Sequence, residues 1–237
     1  KLTTEQLAAL SSAQVAAMNT ADLATLTTTQ LQAISSAGVG ALSTTQIASL
    51  GGLGTDQVAG LTTAQVRALN SAQIAAFKTT QVDELTTAQL SAMSSAQVRG
   101  FETADLAVLT SDQVRGITAT AVTGLTTDQV VALTTNQAAN LTTSQANALT
   151  AAQVKAMETD DLRALDASRL QALTTAAVSN LTTAQVAAIT TAQIDKLSAT
   201  QVKSLSTAQV AALTTAQASK LTTEQLAALS SAQVAAM

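Results

Sequence analysis

Leu2-Thr3-Thr4-Glu5-Gln6-Leu7-Ala8-Ala9-Leu10 reads as a helix start followed by a helix of barely more than one turn. With Thr3 as N-cap, Gln6 is the third helical residue. That spacing is a capping box: the Thr3 hydroxyl accepts the Gln6 backbone N–H, and the Gln6 amide oxygen accepts the Thr3 N–H. Leu2, before the cap, and Leu7, at the fourth helical position, form the matching hydrophobic staple.

The same signal recurs along the whole chain. Lys1-Leu2 is followed by 29 octads and one three-residue insertion, Gly51-Gly52-Leu53, which together account for all 237 residues. The consensus, from place one to place eight, is Thr/Ser, Thr/Ser, variable, Gln, Val/Leu/Ile, variable, Ala, Leu. Place eight is apolar in all 29 octads, place five is Val, Leu or Ile in 26 and Ala in three, and place four is Gln in 22. A strict short period over an entire chain indicates a one-dimensional stack of similar units.

The period restricts the secondary structure. At about 100° per residue, eight residues overshoot two turns by roughly 80°, so in an unbroken α-helix the Leu stripe would spiral and face no single partner. A β-solenoid, the alternative that the Thr and Val content supports, would need alternation and turn residues. The octads instead have adjacent Ala residues, almost no Gly and no Pro. The expected fold is all-α: a solenoid or superhelix of very short helices, one per octad, running as one continuous domain over residues 1–237.

Charge placement points the same way. Of the 15 acidic residues, 12 lie in places one, three and four, and of the 11 basic residues, eight lie in place six or seven. Acid near a helix start and base near its end is what the helix dipole favours, and here that placement recurs within octads along the chain. Helices this short do not survive alone, so stacking must hold them. Places five and eight are expected inside, including the two aromatics, Phe77 and Phe101. Ala or Gly at place seven would allow close approach, and the Gly51-Leu53 insertion reads as a tolerated bulge or hinge.

Composition excludes several function classes. There is no His, Cys, Tyr or Trp, which removes the commonest general base, the thiol nucleophile and the strongest metal ligands. No catalytic residue or cofactor is expected. Net charge is −4 with scattered cations, which argues against nucleic acid, and no apolar run approaches a membrane span. The one metal candidate is an acidic cluster: Glu158, Asp160 and Asp161 offer three carboxylates to calcium, with Asp166 as the next ligand. The competing reading is solvated first-turn charges, which applies equally to Asp83-Glu84.

Residues 1–18 recur unchanged as residues 220–237, an offset of 219 residues that equals 27 octads plus the insertion. A longer repeat is therefore nested over the octads. The octads resemble the Thr/Ser-x-x-Gln-Val-x-Ala-Leu tandem repeats of very large bacterial surface or secreted, adhesin-like proteins. That resemblance implies a structural role at the cell surface or outside the cell, as stalk, spacer or filament. The expected partner is then self, by end-to-end or lateral assembly, or by continuation in a longer chain. The alternative is a binding solenoid for peptide or glycan, or for ice or mineral through rows of Thr.

Overall fold

The computed structural model describes residues 2–50 and 56–237, so the Gly51-Leu53 insertion lies outside the described residues. Among those described, 29 helices of four to six residues follow one another, one per octad, from Thr4–Ala8 to Ser231–Ala235. No described residue is in a strand. The β alternative fails because the Thr residues that suggested it cap helices. Thr62 is typical: its hydroxyl accepts the Gln65 N–H at 3.2 Å, and the Gln65 amide oxygen accepts the Thr62 N–H at 2.8 Å.

Helices also start where the cap side chain is wrong. Lys78, Glu102 and Glu158 make no side-chain cap bond, yet helices Thr79–Val82, Thr103–Val108 and Thr159–Ala164 follow them. At Lys78 the other half of the box persists, with the Gln81 amide oxygen accepting the Lys78 N–H at 2.7 Å. Most helices end on a tightened bond from the place-eight N–H to the place-five carbonyl, as in Leu69 to Val66 at 3.2 Å. Two extended residues then turn the chain: Leu69 at φ −70°, ψ 141° and Asn70 at φ −90°, ψ 171°. Both lie in the region open to any L-residue, so the turn needs neither Gly nor Pro.

The chain divides into two compact units, Lys1–Gly124 and Leu125–Met237. Within each, a helix packs against the helix three octads away. In the first unit Ser36–Gly40 lies on Thr63–Ala68 and Thr87–Ala92 on Ser111–Gly116; in the second, Thr135–Ala139 lies on Thr159–Ala164 and Ala199–Lys203 on Thr223–Ala228. Places five and eight form the core of each unit, with Leu90, Leu106, Leu162 and Ile194 wholly buried and both Phe77 and Phe101 inside. Small residues at place seven bring helices into backbone contact. A Cβ added at Gly124 would sit 2.1 Å from the Ser95 carbonyl oxygen, and one at Gly100 would sit 2.5 Å from that of Ser71.

Candidate functional site

The one feature repeated with chemical precision is the glutamine at place four. Its amide oxygen closes the capping box, and its Nε2 points back to the preceding superhelical turn. Gln97 shows the full set: Oε1 accepts the Ser94 N–H at 2.9 Å, while Nε2 donates to the carbonyls of Val66 at 2.6 Å and Leu69 at 2.7 Å. In the second unit Gln225 donates to Ile194 at 2.8 Å and Leu197 at 2.7 Å, and Gln185 donates to Val154 at 3.0 Å and Met157 at 2.8 Å. The acceptors are the place-five and place-eight carbonyls at the end of the helix four octads earlier, groups a helix leaves short of partners.

Lateral packing thus joins helices three octads apart, and the glutamines join helices four octads apart. One superhelical turn therefore takes between three and four octads, close to the 28-residue separation of Gln97 from Leu69. The glutamines form a buried seam between turns: Gln65, Gln185, Gln209 and Gln225 are each at most 3% exposed. A capping box alone would leave them at the surface. The sequence did carry a signal for this second bond. Glu closes a capping box as well as Gln does, yet no octad has Glu at place four. Only the amide supplies a donor as well as an acceptor.

Three of the seven departures from Gln show how other polar side chains meet the seam. Arg169 keeps a donor there, its Nε bonding the Leu141 carbonyl 28 residues back. Asp105 and Asp161 keep the place without the donor, and both carboxylates are buried. Asp161 accepts a bond from the Thr135 hydroxyl at 2.8 Å, and Asp105 accepts the Glu102 N–H at 3.1 Å together with a bond from the Thr79 hydroxyl. Burial raises the pKa of each above the usual carboxylate value, against the pull of those hydrogen bonds. The reading of the acidic cluster as solvated first-turn charges is therefore corrected for Asp161: place four faces the preceding turn, so a carboxylate there, as at Asp105, is taken out of water.

The other acidic candidates turn to separate partners. Glu158 sits at an N-cap and makes no cap bond. Asp160 is exposed, 3.5 Å from the Arg163 guanidinium. Asp166 caps helix Ala167–Ala172 and accepts the Arg169 N–H at 2.8 Å and the Ser168 hydroxyl at 2.7 Å, bonds that lower its pKa, with the Arg169 N–H contributing most. Among the described residues no group of three or more acidic side chains is placed to hold a metal ion. Also among them, no helix is long and apolar enough to cross a membrane.

The first and last turns show the seam half made. Gln6 and Gln14 are exposed, and neither Nε2 has an acceptor among the described residues, whereas Leu7 and Val15 are wholly buried. Beside them lies an open cleft lined by Leu2, Met18 and Leu26, with Gln6, Asp22 and Gln30 also on its wall. At the other end Gln225 and Gln233 are buried, while Leu226 is 40% and Val234 52% exposed.

The pattern of the ALTTAQ repeat matches residues 15–52, 51–87, 66–101, 84–118, 98–135, 154–191 and 186–223. The chain belongs to the ALTTAQ repeat family. The six letters occur literally at Ala212-Leu213-Thr214-Thr215-Ala216-Gln217, and the closing glutamine is the seam residue. Each ALTTAQ match covers more than four octads, enough to include one glutamine and the carbonyls it bonds in the turn before. The stretch 136–153, which no match covers, holds Ala138 and Ala146, two of the three octads with Ala at place five. No curated protein matches the chain.

Proposed function

We propose that this ALTTAQ repeat chain is a non-catalytic structural segment, a stalk or spacer at a bacterial cell surface or outside the cell, in which the octads of residues 1–237 wind as one continuous solenoid. One observation carries the reading. The polar side chain repeated most faithfully, Gln at place four, is consumed by bonds between turns, as at Gln97 and Gln225. What remains outside is Thr, Ser, Ala and scattered charge, and most place-one hydroxyls already accept a backbone N–H, as at Thr62 and Thr182. The nested 219-residue repeat and the resemblance to surface-protein repeats support a parent that gains length by adding octads. Repeat solenoids do so without changing the contacts of existing units.

The test is a length series. A variant with residues 126–157 duplicated in tandem, compared with the parent chain by small-angle scattering, is expected to gain length in proportion to the four octads added. A particle that grows in all directions equally would overturn the reading.

A further inference from the structure

We infer that the seam joining helices Thr135–Ala139, Thr143–Ala148 and Ala151–Ala156 to helices Thr159–Ala164, Ala167–Ala172 and Thr175–Ser179 is a joint built into the solenoid, where one turn parts from the next more readily than at the seam that follows it. This goes beyond the stalk reading, which treats every turn alike. In a stalk, the joint is where the rod yields to load.

Hydrogen bonding across this seam is sparse. Its place-four residues are Asp161, Arg169 and Ala177, the only run of three successive octads without Gln there. In the octads that follow, Gln185, Gln193 and Gln201 donate to the carbonyls of Met157, Leu165 and Leu173, 28 residues back, at 2.8, 2.6 and 2.7 Å. The equivalent carbonyls at the joint are those of Leu133, Leu141 and Leu149. Among the described residues only Leu141 receives a side-chain donor, from Arg169, whose guanidinium is also held by Asp166 at the cap of its own helix. Asp161 is 3% exposed and, as a carboxylate, brings one acceptor towards another; it takes the Thr135 hydroxyl instead, at 2.8 Å. Ala177 has no polar side-chain atom to offer Leu149.

The apolar half of the same seam is thinned as well. Place five beneath it includes Ala138 and Ala146, in adjacent octads, each a methyl group where Leu162, Leu170 and Val178 stand beneath the turn that follows. All five are wholly buried, so the two alanines remove apolar surface from the contact without letting water in. Small side chains also let the helices lie close, as Thr135–Ala139 does against Thr159–Ala164, which keeps the seam shut in the resting chain. Helices of this length do not persist without the turns packed on them. A seam with fewer bonds and less buried apolar surface therefore opens first, and the helices on either side fray with it.

Hydrogen exchange of the whole 237-residue chain, followed by mass spectrometry and corrected for intrinsic rates, tests the joint. Amides of residues 135–156 and 159–179 are expected to exchange roughly 10-fold or more faster than those of residues 183–203, a ratio that the loss of one buried hydrogen bond can produce. The variant Asp161→Gln, Arg169→Gln, Ala177→Gln restores the seam amides. It should bring residues 135–156 and 159–179 towards the rate of 183–203 and leave residues 63–92, in the first unit, as they are. Should that variant not fold, Gln193→Ala moves the defect one turn on and should quicken exchange in residues 167–172 and 191–194 by a similar factor. Equal exchange in the two regions of the parent, or a difference that the triple variant leaves in place, overturns the inference, and so does a Gln193→Ala chain with the parent's profile. A uniform profile leaves the length series and the stalk reading standing, whereas a particle that fails to lengthen leaves the joint standing.

Discussion

Residues 2–18 and 221–237 share one sequence and form corresponding pairs of helices, yet their burial is reversed. In the first, Leu7 and Val15 are hidden and Gln6 and Gln14 are wet. In the second, Gln225 and Gln233 are hidden while Leu226 and Val234 stand in solvent. Local sequence cannot cause this, since it is identical. The difference is which neighbour packs on each segment within these 237 residues: 2–18 lie against the turn that follows them, and 221–237 against the turn that precedes them. An octad therefore has two faces with separate chemistry. Its place-four amide belongs to the seam with the previous turn, and its place-five side chain belongs to the seam with the next.

The largest expected effect isolates the apolar face. Leu90→Ala removes a wholly buried place-five side chain and is expected to cost about 2–5 kcal/mol in urea unfolding, whereas Leu226→Ala, at a side chain 40% exposed, should cost under about 1 kcal/mol. Equal costs would erase the distinction between the two faces.

The glutamine face comes next. Gln97→Ala leaves the Ser94 N–H and the carbonyls of Val66 and Leu69 without a bond in a buried place, and should cost about 2–3 kcal/mol. The same change at Gln6 removes only the capping bond and should cost about 0.5–1 kcal/mol. Gln97→Glu sharpens the point: it retains the cap acceptor and loses the donor, so it should fall closer to Gln97→Ala than to the parent.

The buried carboxylates add a pH dependence of known sign. Asp105 and Asp161 have folded pKa values raised above the ordinary 3.8. Protonation is thus favoured by folding. Their contribution is greatest below the unfolded pKa and declines as pH rises through the folded value. The parent should lose stability relative to an Asp105→Gln, Asp161→Gln variant as pH climbs from that range to neutrality. At neutral pH the variant, with seam donors restored, should be more stable by about 1 kcal/mol per site. A constant difference between the two across that range would contradict the assignment. The smallest effect is reserved for the outer surface. Arg163→Ala breaks the exposed pair with Asp160 and should change the unfolding midpoint by the equivalent of less than about 0.5 kcal/mol.

Much of this was legible in the residues because it is local. Thr3 and Gln6 are three residues apart, so the capping box, the helix restart in every octad and the inward direction of places five and eight could all be read without knowing the fold. The acidic cluster was misread in part for the same reason. Glu158, Asp160 and Asp161 are neighbours in sequence, but Asp161 alone sits at place four and turns into the seam toward Thr135, 26 residues earlier.

By itself, then, the sequence determined that helices form, where each begins and ends, and which two side chains per octad are apolar enough to require cover, since these depend on groups within one helical turn of one another. Tertiary structure decided the number of octads in a superhelical turn, the burial of the glutamines and the opposite characters of the two ends. Those depend on carbonyls some 28 residues away along the chain, and an octad meets them only when the preceding turn has been laid down.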